Sequence, residues 1–213
     1  FLNTGYATYT REILKYLHRT GKYEIAELGA YGHDKDPRAA NIPWKFYGVM
    51  PDDHDKENMA KYNSSPILQF GEFKFESVCI DFMPDIVCDI RDFWMVEFIE
   101  RSPFRNLFKW CLMPTVDAFP QARQWLATYQ SSDACLTYSD WSGEVLKKQS
   151  GNKINYIGTS PPSAHEAYKP IEDKDGLRKK YGIPIDAKII GTVMRNQRRK
   201  LYKSLLGRLT KLA

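Results

Sequence analysis

The chain has 213 residues, 43% of them hydrophobic and 14% aromatic, which supplies a packed core for one large α/β domain, or for one domain and part of another. No segment approaches the ~18 unbroken apolar residues of a transmembrane helix. The net charge of +5 is local: seven bases and no acid lie from Arg195 onward, whereas the first 194 residues carry 24 bases against 26 acids. A nucleic-acid binder spreads its basic surface over a domain face, so no stable nucleic-acid partner is expected, and the cationic tail fits a local phosphate site better.

Asn3-Thr4-Gly5-Tyr6 precedes a helix predicted from Ala7 to about Arg19, with Ile13, Leu14 and Leu17 on its apolar side and Gly21 ending it. Strands are predicted over Tyr23–Tyr31 and Lys45–Val49. Pro51–Pro66 is polar and gives no clear element. Phe70–Phe82 reads as a helix, and Met83-Pro84-Asp85 as a turn into a β-branched strand, Ile86–Ile90. Then come a helix over Phe93–Glu100, a buried strand within Leu107–Val116, and a helix over Gln121–Tyr129. A strand over Ala134–Tyr138, a helix over Trp141–Gln149 and a strand over Lys153–Ile157 follow. After the Pro161-Pro162 loop, Lys174–Tyr181 is helical and Lys188–Met194 is a final strand. A helical pattern follows, with Leu201, Leu205, Leu209 and Leu212 on one face. Alternating strands and helices mean βαβ units and a mostly parallel sheet, an α/β Rossmann-like class.

Cys79, Cys88, Cys111 and Cys135 lie in apolar runs without CxxC spacing, which suggests reduced core thiols in a cytoplasmic protein, or one peripheral to a membrane. His18, His33, His54 and His165 are scattered without ligand spacing, so neither a metal nor a cofactor is implied.

The final strand runs into Arg195-Asn196-Gln197-Arg198-Arg199-Lys200, a cationic turn opening a helix, which is how α/β proteins build anion sites at the carboxyl end of a sheet. Cations at a helix N-terminus oppose its dipole, so Arg195 and Lys200 fit a phosphate role better than a structural one. Thr4 could cap the first helix while Gly5 lets a ligand approach the backbone. Asp117, in Met113-Pro114-Thr115-Val116-Asp117, and Asp92 both follow strands, where α/β ligand sites lie. The alternative for Asp117 is a capping role at the next helix, and Ser139 and Asp140 have the same alternative. Of the five tryptophans, Trp94 and Trp141 are the ones expected at the surface.

The ordered series then resembles a known family. It comprises the Gly-containing turn opening a helix, Pro84-Asp85-Ile86-Val87, Asp133-Ala134-Cys135-Leu136-Thr137-Tyr138-Ser139 and Tyr168-Lys169-Pro170. It continues with Leu177-Arg178-Lys179-Lys180-Tyr181-Gly182-Ile183-Pro184 and Ile190-Gly191-Thr192-Val193-Met194-Arg195 leading to Lys200. It resembles the GT-B glycosyltransferases, specifically the retaining glycosyltransferase family 4. The resemblance implies an acceptor-side Rossmann-like domain over residues 1–170, and a linker with the first βα unit of a donor-binding domain over 171–213. It implies that Arg195, Lys200 and Gly5 hold the diphosphate of a nucleotide-sugar donor, with Asn3, Thr4, Tyr6 and Asp92 as acceptor or sugar contacts. Asp117 is the candidate catalytic residue, because a histidine that many members place in this stretch is absent. A carbohydrate, lipid or other hydroxyl acceptor is expected, with the C-terminal half of the same protein as partner. The chain reads as a fragment lacking a first strand and most of the donor domain, and so inactive alone. Competing readings are a sugar-nucleotide epimerase or phosphorylase of the same architecture, and a non-catalytic sugar- or nucleotide-binding module.

Overall fold

The computed structural model describes residues 2, 4–163, 168–193, 201, 203, 204 and 207. The chain divides into two compact units, Phe1–Ser163 and Ala164–Ala213. The first unit is α/β with parallel sheets, Rossmann-like in kind. Strands β1 (Ala26–His33) and β2 (Lys45–Met50) form a parallel pair. Strands β3 (Ile86–Asp89), β4 (Lys109–Leu112), β5 (Ala134–Thr137) and β6 (Tyr156–Thr159) form a second, wholly parallel sheet in sequential order. Its crossovers are α4 (Phe93–Arg101), α5 (Arg123–Gln130) and α6 (Asp140–Ser150), while α1 (Gly5–Arg19), α2 (Lys56–Asn63) and α3 (Phe73–Phe82) belong to the first half of the unit.

Sequential parallel strands joined by right-handed crossovers send their helices to one face. Here α4 packs on α5 and α5 on α6. The face beneath them holds Trp110, Leu112, Cys135 and Thr137, all fully buried, and the first three lie in one cluster with Val96, Ile99, Tyr129 and Leu146. The opposite face is thinly covered: Ile86 is 58% exposed. Cys88, next along that face, is exposed as well, which corrects its assignment as a core thiol. Cys79 and Cys135 are buried as expected, and all four thiols are free.

Most elements form where the periodicity places them. The polar stretch 51–66 contains α2, which starts because Asp55 accepts a hydrogen bond from Asn58 N at 3.1 Å. The helix read over Phe70–Phe82 begins as a π-helical turn, Leu68–Glu72, kinked at Gly71 (φ 139°), before α3. The last strand of the unit starts three residues later than its apolar run, because Gly151 and Asn152 both take left-handed angles to close α6. In the second unit α7 (Lys174–Lys180) is capped by Asp173, which accepts from Gly176 N at 2.7 Å. Gly182 (φ 66°) follows it. Arg178 then gathers the carbonyls of Pro184, Ile185 and Ala187 at 2.8, 2.6 and 3.0 Å. The strand expected at Lys188–Met194 is not formed over 188–193. A strand needs a neighbour to bond with, no other strand is described in this unit, and Ile189 and Ile190 are exposed. Met194 lies outside the described residues, as do Leu205, Leu209 and Leu212 of the helical pattern beyond it.

The amino ends of β4 and β5 are pinned by Asp133. Its carboxylate accepts from Trp110 N at 2.8 Å, from Arg105 at 2.8 Å and from Lys109 at 3.2 Å, while its own N–H donates to Trp110 O at 2.9 Å. The Trp110 N–H first, with the two cations behind it, holds the Asp133 carboxyl down at about 2. An unfolded Asp titrates near ~3.9, so the contribution of Asp133 to stability is present above that value and is lost as pH falls from about 4 toward 2. Urea unfolding across that window should show stability falling with pH in the wild type and a shallower fall in Asp133→Asn. Identical slopes would mean that the carboxylate does not staple these strands.

Candidate functional site

In a parallel sheet the carboxyl ends share one edge, and the loops leaving them converge there. Those loops carry Asp92 after β3, Met113–Asp117 after β4, Tyr138 and Ser139 after β5, and Ser160 after β6. The first turns of α1 reach the same edge. Tyr6 Oη donates to Asp92 Oδ1 at 3.0 Å and lies 2.8 Å from Thr115 Oγ1. Tyr9, three residues on and so on the same helical face, bonds Ser160 at its carbonyl (3.0 Å) and lies 2.8 Å from its hydroxyl. The Tyr9 ring rests against Tyr138 with centroids 5.9 Å apart. One face of α1 is thus tied to the loops that follow β3, β4, β5 and β6.

These ties are polar because α1 contributes no fully buried residue. Its start follows from the sequence: Thr4 is the N-cap and accepts from Ala7 N at 3.2 Å. Gly5 is the first helical residue and is exposed, and a Cβ built on it meets no atom within 4 Å. Nothing in the packing of the unit therefore requires glycine there, and the space in front of its backbone is open.

Asp92 occupies the N-cap position of α4 but makes no side-chain cap; its carboxylate serves Tyr6 instead. The neighbouring cation does not compensate it, because the Arg91 guanidinium forks onto both oxygens of Asp89 and donates to Phe70 O. Asp117 is exposed and makes no hydrogen bond or ion pair among the described residues. It does not cap α5, whose N-cap is Ala122 without a side-chain bond. Its charge nevertheless reaches Tyr6 and Tyr129. Burial above all pushes the phenols of Tyr6, Tyr129 and Tyr138 up, joined by the Asp92 charge at Tyr6, by Cys135 and then Asp92 at Tyr129, and by Tyr6 and Tyr9 and then Asp92 at Tyr138. At neutral pH the Tyr6 phenol is a protonated donor at this carboxylate-bearing edge.

The structure brings together Thr4, Gly5, Tyr6 and Asp92, with Asp117 close enough to act on Tyr6 electrostatically. Asn3, Arg195 and Lys200 lie outside the described residues. Ser139 is a helix cap, accepting from Ser142 N at 3.3 Å, and Asp140 accepts from Thr159 Oγ1 at 2.6 Å. No group of three or more His, Cys, Asp or Glu with metal-binding geometry occurs among the described residues. Thr115, Tyr9, Tyr138 and Ser160 were not singled out by sequence. The i, i+3 spacing of Tyr6 and Tyr9, and the position of Ser160 directly after a strand, are the signals that point to them.

Tyr6→Phe removes one hydroxyl that serves two loops and leaves Asp92 without its donor. A loss of about 1 kcal/mol is expected, with faster amide exchange in the first two turns of α1 and unchanged protection in β4 and β5. Unchanged exchange in α1 would show that the Tyr6 bridge does not hold the helix. No protein-family model matches this chain, and no curated protein matches it.

Proposed function

We propose that this chain is the acceptor-side part of a glycosyltransferase that moves a sugar from a nucleoside-diphosphate donor to an acceptor hydroxyl with retention of configuration. The observation that carries the reading is the meeting of Tyr6, Asp92 and Thr115 at the start of α1, on the carboxyl edge of a parallel sheet, with the uncommitted carboxylate of Asp117 beside it. The ordered sequence motifs, with a cationic run from Arg195 to Lys200, support it independently.

The chemistry asks for two things. Breaking the sugar–phosphate bond places negative charge on the departing diphosphate, and fixed cations aimed at that charge lower the barrier. Arg195 would supply a bidentate fork and Lys200 a point charge, with the open backbone at Gly5 as a further phosphate contact. The acceptor hydroxyl must also be oriented toward the sugar. In this reading Asp117, which has no protein partner among the described residues, would take that role, accepting the acceptor's hydrogen bond. Tyr6 and Asp92 satisfy each other and act as positioning residues for the loop.

Isothermal titration of UDP and GDP into the protein with its complete donor-binding half should show diphosphate binding that weakens at least about tenfold in Arg195→Ala or Lys200→Ala. In a protein that joins this chain to a complete donor-binding half, Asp117→Asn should keep that binding and lower kcat for transfer by about 100-fold. Diphosphate binding indifferent to both cations would remove the transferase reading. Intact binding with no turnover under any donor would favour a non-catalytic nucleotide-binding module.

A further inference from the structure

β1 does not run straight to its end. Its pairing with β2 steps from Gly29 opposite Gly48 to His33 opposite Met50, so four residues of β1 lie alongside two of β2. The excess puts Tyr31 at φ 58°, a left-handed angle that is strained for a bulky residue. Gly48 permits the close approach: a Cβ there would come within 2.4 Å of the His33 carbonyl carbon and 2.5 Å of Asp34 N. Its N–H donates to Asp34 Oδ1 at 2.7 Å. Bulges re-aim side chains, and strained backbone persists where the surroundings hold it.

The re-aimed side chain joins an aromatic stack. The Tyr31 ring meets Phe70 at 5.6 Å and 90°, and Phe70 meets Trp94 at 5.1 Å and 79°. Phe70 is 8% exposed, while Tyr31 and Trp94 are 42% and 46% exposed. An edge-to-face contact takes at most one face of a ring, so the Phe70 contacts leave both outer rings a face. The stack adjoins the strand-end site. Trp94 stands two residues after Asp92, and Arg91 bonds the Phe70 carbonyl.

The surrounding charges choose the ligand. Asp92 keeps its second carboxylate oxygen free of donors among the described residues, and the neighbouring Arg91 is consumed by Asp89, so an anionic ligand beside Asp92 meets a carboxylate that Arg91 does not offset. A lipid chain would cover the rings but give Asp92 no donor. A neutral sugar ring offers an apolar C–H face to an aromatic ring and hydroxyl donors at its rim. We propose that Tyr31, Phe70 and Trp94 form a stacking platform for a neutral sugar unit of the acceptor, with Asp92 accepting from its hydroxyls. This proposal rests on the acceptor-side reading above and names the class of acceptor.

The test is an array of neutral and anionic glycans, followed by titration of the best neutral glycan into wild type, Trp94→Ala and Trp94→Phe. UDP is titrated into each protein in parallel. Phosphatidylcholine vesicles serve as the lipid arm. The expected result is neutral-glycan binding that falls at least tenfold in Trp94→Ala and is largely kept in Trp94→Phe, with thermal unfolding unchanged. No neutral-glycan binding, equal binding by Trp94→Ala, or binding confined to anionic glycans or vesicles overturns the platform. Intact, Arg195-dependent UDP binding with no glycan binding sinks the platform alone. Trp94-dependent glycan binding with no UDP binding sinks the transferase reading and leaves the platform standing.

Discussion

The handedness of the crossovers between β3 and β6 is the constraint on which the rest of the first unit depends. Each crossover must carry the chain back over the same face, so α4, α5 and α6 share one side and bury Trp110, Leu112, Cys135 and Thr137 beneath them. The same rule brings the carboxyl ends of all four strands to one edge. It also leaves the opposite face thinly covered, which is why Ile86 and Cys88 are exposed on strands of a kind that is ordinarily buried on both faces.

The two edges of this sheet differ in charge. At the amino edge Asp133 is matched by a backbone donor and two cations. At the carboxyl edge Asp92 receives a neutral phenol, and Asp117 receives no donor among the described residues. Arg91 could have balanced that edge, but it is forked onto Asp89. Compensation holds strands together at one end. At the other, the carboxylates keep polar capacity that the proposed reading gives to an acceptor, beside the half-exposed rings of Tyr31 and Trp94.

Much of the fold was legible because it is local. Thr4 capping α1, the turn at Met83, and the strands at Ile86 and Ala134 follow from neighbouring residues. The α2 cap at Asp55 was also local but hidden in a polar stretch without periodicity. The bonds that assemble the site were not legible. Tyr6 and Asp92 are 86 positions apart, and Tyr9 and Ser160 are 151 apart. Only the crossover rule, applied in three dimensions, brings them together. The strand expected at Lys188 shows the converse: β-branched residues state a preference, but a ladder needs a second strand.

Helix α1 is amphipathic, yet it sends no residue fully into the core and is tethered to the strand ends by tyrosine hydroxyls. This helix at the edge of the site is therefore outside the part that decides whether the sheet folds. Substitution on the exposed positions of α1 trades little against folding, so a lineage can alter that helix while the Trp110 core stays fixed. Divergence should accordingly be unequal along the chain, fast at the exposed positions of α1 and slow beneath α4 to α6.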